Sequence, residues 1–274
     1  MPTVRTGPVI GLAGQFVLFA IFAGIVGLGV AGWLAGMAYG LFTCAALTRG
    51  LHRSGMAALG QADRVTLIRA TLVGGVAALT VDSFTRHAPV VLMVVLAIVA
   101  LVLDAVDGRV ARRTGTASAL GARFDMEVDA FLILVLSVYA ARPVGGWVLA
   151  IGAMRYAYLA AAWVLPWLRG SLPPRYWRKV VAATQGIVLV VAAAGVLPRP
   201  LLSAGLAVSL ALLTASFGSC VGWLWQHRPV GSGPAPAAVA AHVETSTGRW
   251  NSGGYRAPVP RSISVRAGDG IAVG

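Results

Sequence analysis

The chain has 274 residues, of which 58% are hydrophobic and 11% charged, and its formal net charge is +13. A soluble domain carries about a quarter charged residues, so this composition excludes an ordinary globular domain and points to a chain that spans the lipid bilayer. The basic excess does not imply nucleic acid, because the arginines sit in short clusters between apolar runs, without interleaved aromatics or zinc-ligand spacings.

A helix needs about 20 apolar residues to cross roughly 30 Å of hydrocarbon. The first apolar stretch, 8–47, is about twice that length and has Gly27, Gly29 and Gly32 near its middle, which predicts a helical hairpin with spans near 8–26 and 30–48. Without a clear cleavage motif, this hairpin is expected to stay as an uncleaved membrane entry. An interfacial stretch with Arg49, His52 and Arg53 follows, and the next span covers about 62–81. A loop with Asp82, Arg86 and His87 leads to Pro89, well placed at a helix start, and an apolar run from Val90 to Leu103. Residues 109–123 read as an Arg-rich turn (Arg109, Arg112, Arg113, Arg123) broken by Gly115, and a helix is predicted over 117–141, ended by Arg142-Pro143. Further spans are predicted over 146–165, with a buried-looking Arg155, over 176–196 and over 201–224. Tryptophans near 163–177 and 223–225 suit interfacial anchors. Beyond Arg228 the chain is rich in Gly, Ser, Pro and Ala, with scattered arginines and too little apolar periodicity to fold alone. The two cysteines, Cys44 and Cys220, lie far apart in apolar runs and read as small buried side chains.

The expected organisation is therefore all-α and membrane-integral: a hairpin over 1–50, a helical core over 51–228 and a disordered tail over 229–274, with about eight transmembrane helices. Alternating the spans from a cytoplasmic N-terminus places Arg49, Arg53, Arg64, Arg69, Arg109, Arg112, Arg113, Arg123, Arg169, Arg175, Arg178, Lys179 and the basic tail inside. The later outside turns hold one arginine each, Arg86, Arg142 and Arg199. That asymmetry predicts both termini in the cytoplasm.

Acidic residues are distributed quite differently. Of nine in the chain, five (Asp104, Asp107, Asp125, Glu127 and Asp129) fall within 26 positions at the predicted cytoplasmic boundary. Helical neighbours are three and four apart, so Asp104, Asp107, Gly108, Ala111 and Arg112 share one stripe, and Asp125 and Asp129 share a stripe of the next helix. The turn between them brings four carboxylates together, and four like charges beside a membrane require compensation. Oxygen-only ligands suit magnesium, manganese or calcium, and two such ions sharing carboxylates suit phosphoryl transfer. Gly108 and Ala111 leave room for a nucleotide, Arg112 can pair with phosphate oxygens, Gly121 permits close helix approach, and Asp129 is placed to deprotonate an acceptor hydroxyl. Glu127 points off the stripe and is expected to pair with a loop arginine. The plainer reading is a set of Asp–Arg pairs snorkelling at a helix end.

Asp104-x-x-Asp107-Gly108-x-x-Ala111-Arg112, eight residues, then Gly121-x-x-x-Asp125-x-x-x-Asp129 resembles the signature of the CDP-alcohol phosphotransferases at every fixed position. The resemblance covers about 60–225 and implies a six-helix core, leaving the hairpin and tail outside it. It further implies two divalent metals (Mg2+ or Mn2+) on Asp104, Asp107, Asp125 and Asp129, Asp129 as the base, a CDP site at Asp104, Asp107, Gly108, Ala111 and Arg112, and a homodimer. Asp63-x-x-Thr66-x-x-Arg69 is similar to the Asn-x-x-Thr-x-x-Arg opening of the first core helix in phosphatidylglycerophosphate synthases, with Asp in place of Asn. This adds Thr66 to the CDP site and Arg69 to possible phosphate ligands. Arg155, Arg178 and Lys179 stand near positions where those enzymes meet a phosphorylated acceptor, although Arg178 and Lys179 also suit simple snorkelling.

The expected activity is transfer of a phosphatidyl group from CDP-diacylglycerol to a small polar alcohol at the cytoplasmic face of the plasma membrane, releasing CMP. The alternatives are transfer from a soluble CDP-alcohol to a lipid hydroxyl, and a non-enzymatic cation carrier using the Asp cluster. An arginine beside its ligands gives an ion path nothing to use.

Overall fold

The computed structural model describes residues 6–54, 61–87, 89–114, 119–170 and 176–227. These residues form α1 (Thr6–Ile25), α2 (Val30–Ser54), α3 (Gln61–Asp82), α4 (Val90–Thr114), α5 (Ala119–Val144), α6 (Leu149–Val164), α7 (Tyr176–Ala194) and α8 (Arg199–Gln226), with 3-10 turns at Gly146–Val148 and Pro166–Arg169. The tail expected beyond Arg228 lies outside the described residues.

Helices dominate because a chain in hydrocarbon must satisfy its backbone hydrogen bonds within each segment. Among the described residues, four stretches are long and apolar enough to cross a membrane: Val30–Arg53, Arg64–Asp82, Gly146–Val164 and Arg199–Gln226. Shorter apolar helices run over Val9–Ile25, Val90–Val106 and Val180–Ala194. The protein is therefore an all-α, multi-pass membrane protein.

The helices end later than the charge pattern predicts. Arg49, His52 and Arg53 lie on the last turns of α2 rather than beyond it, and α4 carries Arg109, Arg112 and Arg113 out of the expected turn and onto the helix. Arg123 likewise sits on α5. Charge disfavours burial in lipid but does not break a helix, so these helices continue through their charged residues. Pro143 falls inside the last turn of α5, which closes through the Gly145 N–H donating to the Ala141 carbonyl (2.9 Å), with Gly145 at φ 136°. A positive φ of this kind favours glycine.

α3 is the central pillar. It packs against α1, α2, α4 and α5, and 67% of its apolar window is buried, against 22% for α2. α7 packs on α4, α5 and α8, while α6 lies along α5. Phe19 and Phe22 of the hairpin join Val73, Val76, Met93 and Leu136 in one continuous core.

Arginines on the predicted outer side tie the loops together. The Gly29 N–H donates to the buried Asp82 carboxylate (3.1 Å), and Arg86 donates to the Gly27 carbonyl (2.7 Å). Arg142 donates to the Ser83 carbonyl (2.5 Å), with its guanidinium 4.9 Å from the centre of the Phe84 ring. The α1–α2 turn is thereby fastened to the end of α3, and the end of α5 to the loop after α3.

Candidate active site

α3, α4 and α5 meet at one charged centre. Asp125 and Asp129 lie one turn apart on α5, and Asp104 faces them from α4, so that carboxylate oxygens of all three come within 4.8 Å of one another. Arg69 of α3 stands among them with no exposed surface. Its Nη1 donates to Asp104 (2.8 Å), and its Nη2 donates to the Asp125 carboxylate and to Asp129 (3.0 Å). The three carboxylates are half-buried, 32–40% exposed, so the centre is open on one side.

The donor set fits a hard divalent cation. Among the described residues it consists of oxygens alone, from three carboxylates gathered around one guanidinium. Asp107, Gly108, Ala111 and Arg112 continue α4 beyond Asp104, but their side chains lie outside the described residues, as does that of Lys179. Thr66 is buried one turn before Arg69 on α3, and Gly121 is half-buried in the first turn of α5.

Two cavities lie along α5, and one of them reaches the centre at Asp129. One, of about 420 Å³, lies between α5, α6, α7 and α8 and is bordered by Asp129, Arg155, Arg178 and Gln185, with Leu213 and Ser216 opposite. Gln185 and Ser209 hold α7 to α8 through a reciprocal pair: Ser209 Oγ donates to Gln185 Oε1 (2.6 Å), and Gln185 Nε2 donates to the Ser209 carbonyl (2.9 Å). The other cavity, of about 520 Å³, lies mainly between α2 and α5 and is largely apolar; Tyr39, Phe42, Phe124 and Phe131 line it, with Arg123 and Glu127 as its charged residues.

Arg69, by its motif a possible acceptor or phosphate ligand, stands beside the aspartates. One expectation changes. Glu127 pairs with Arg155 of α6, not with a loop arginine. Glu127 lies on α5, which packs along α6, and that packing brings Arg155 to it. No spacing rule links residues 28 apart on different helices. The available signals were that Glu127 lies off the aspartate stripe and that Arg155 is a lone charge in an apolar run.

Fold and site together define a multi-pass membrane protein built around a carboxylate centre suited to divalent cations. Residues 60–217, more than half of the chain, match the family model of the CDP-alcohol phosphatidyltransferases, and the chain belongs to that family. No curated protein and no solved structure matches the chain. Family membership together with the aspartate cluster makes this an enzyme of the metal-dependent CDP-alcohol phosphotransferase reaction.

Proposed function

We propose that the protein transfers the phosphatidyl group of CDP-diacylglycerol to a hydroxyl of a small polar alcohol carrying a phosphate, with release of CMP, at the cytoplasmic face of the membrane. The observation that carries this reading is the double position of Asp129, which joins the carboxylate cluster and also borders the 420 Å³ cavity that holds Arg155 and Arg178. A base must lie within hydrogen-bond reach of the acceptor hydroxyl while that hydroxyl faces the reacting phosphate.

In this reading Asp104, Asp107, Asp125 and Asp129 hold two divalent cations, Mg2+ or Mn2+, and Gly108, Ala111, Arg112 and Thr66 border the CDP moiety. Bound there, such cations would supply positive charge against that of the pyrophosphate. Asp129 takes the proton of the acceptor hydroxyl, whose oxygen forms a bond to the β-phosphorus. The bond from that phosphorus to the bridging oxygen breaks, and CMP leaves with the electron pair. Arg155, Arg178 and Lys179 attract the acceptor's phosphate, and Arg69 fixes the carboxylates relative to one another. Both termini face the cytoplasm, eight helices cross the bilayer, and two copies associate as a dimer; the arginine asymmetry supports the orientation and the family resemblance the dimer.

The test is CMP release by purified protein from CDP-diacylglycerol against a panel of polyols and polyol phosphates, with Mg2+ or Mn2+ and after chelation. Turnover with a polyol phosphate, abolished by chelation, is expected. Release only from a soluble CDP-alcohol with diacylglycerol would reverse the donor assignment. Asp129→Asn should lower kcat by about 10²–10⁴, the usual contribution of a general base, while a labelled CDP probe still binds. Wild-type turnover in this variant would remove Asp129 as the base.

A further inference from the structure

Arg155 and Glu127 sit back to back between the two cavities. Arg155 of α6 borders the cavity that contains Asp129 and Arg178, whereas Glu127 of α5 borders the apolar cavity on the α2 side, together with Tyr156, the neighbour of Arg155. Glu127 accepts a hydrogen bond from one terminal nitrogen, Nη2, of Arg155. The Arg155 Nε is buried and has no hydrogen-bond partner among the described residues. A buried donor left unmatched costs stability and calls for an explanation.

The placement of Glu127 distinguishes two roles that a carboxylate beside an arginine can have. A carboxylate inside the acceptor cavity would compete with an anionic ligand for the guanidinium. Glu127 borders the opposite cavity, so it holds the guanidinium from behind. Without it, a long and partly exposed arginine is free to swing toward water.

We infer that Glu127 is a positioning residue, which fixes the Arg155 guanidinium so that it can donate to an oxygen of an anionic acceptor, a polyol phosphate. The inference rests on the proposed acceptor site and adds to it a residue outside the family's motif. It also explains why a single acidic residue lies off the aspartate stripe.

The experiment uses the full-length protein and the polyol phosphate that supports turnover in the acceptor panel. Glu127→Ala should raise KM for that acceptor about tenfold, the loss expected for a charged hydrogen bond no longer held in place. kcat at saturating acceptor and KM for CDP-diacylglycerol should each stay within about twofold, because neither depends on where Arg155 points before the acceptor arrives. Glu127→Asp, which restores the carboxylate, should recover most of the acceptor affinity. Glu127→Ala combined with Arg155→Ala should be no worse than Arg155→Ala alone, since Glu127 acts only through Arg155.

An activity-independent arm measures stabilisation against thermal unfolding by millimolar inorganic phosphate, expected in the wild type and reduced in both single variants. An unchanged acceptor KM in Glu127→Ala, additive effects of the two substitutions, or a parallel change in kcat and both KM values would each overturn the inference. A wild-type enzyme that uses only unphosphorylated acceptors would instead overturn the acceptor class. The phosphate arm then still reports whether Glu127 controls anion binding at Arg155, so the two failures remain separate.

Discussion

Arg69 has no exposed surface, yet it bonds to carboxylates on two other helices. Its planar guanidinium presents several donors in fixed directions, which one ammonium on a flexible stem cannot match. Replacing it with methionine would leave three carboxylates facing one another without the guanidinium that bonds to all three. Since those carboxylates are about a third exposed, the expected cost is about 2 kcal/mol, less than for removing one partner of a fully buried pair. Part of that loss should be recovered in Mg2+, because a divalent cation can supply the missing positive charge. The check is the thermal-unfolding midpoint of Arg69→Met with and without Mg2+, which should show a larger ion-dependent gain than the wild type. An equal gain in both proteins would mean that Arg69 and the ion do not share these carboxylates. The aspartates were legible from spacing, because helical periodicity states which of them share a face. Arg69 was not, since a motif along α3 carries no information on which carboxylates of α4 and α5 it will meet.

Helices α5 and α6 approach closely at Gly152, where the positions of Glu127 and Arg155 relative to each other are set. A Cβ at Gly152 would lie 2.5 Å from the Leu134 Cα and 3.0 Å from Ser137 Oγ, and the first of these is backbone that cannot rotate away. Arg155 follows Gly152 by one turn of α6. Gly152→Ala should therefore push α6 off α5, at about 1–3 kcal/mol as for other overpacked contacts. If the pair with Glu127 sets acceptor affinity, the same substitution should raise the acceptor KM, whereas Gly146→Ala, where a Cβ meets nothing within 4 Å, should do neither. Thermal midpoints and acceptor KM for the two variants provide the check. At this scale the order of the helices was legible from apolar runs, but their ends were not. The arginines of 109–113 end the apolar run, yet α4 continues to Thr114, because a helix satisfies its backbone within itself in water as in lipid.

Across the whole molecule, the family match begins at residue 60, whereas the packing does not respect that boundary. The hairpin covers the central helix: Phe19 and Phe22 enter the same core as Val73 and Val76, and Gln15 is buried on α1 where a Cβ at Gly74 of α3 would strike it. Tyr39 of α2 stacks on Phe131 of α5 with ring centres 4.3 Å apart, and the Gly29–Asp82 and Arg86–Gly27 bonds close the outer end. Lipid chains can replace apolar contacts, so in a membrane the hydrophobic effect alone does not hold the hairpin in place. Close packing and polar ties decide association there. Removing residues 1–50 would exchange shaped contacts for fluid lipid and leave the Asp82 carboxylate without its Gly29 partner. The truncated chain should still insert, because Arg64–Asp82 is itself long and apolar enough to cross. In detergent it should unfold at a clearly lower temperature than the full chain, and CMP release should fall as α3 loosens beneath Arg69. Supplying the hairpin as a separate polypeptide should restore both, which would show that the hairpin acts by packing. A truncated chain with the midpoint and turnover of the full protein would show instead that the core from residue 60 onward holds its aspartates in place unaided.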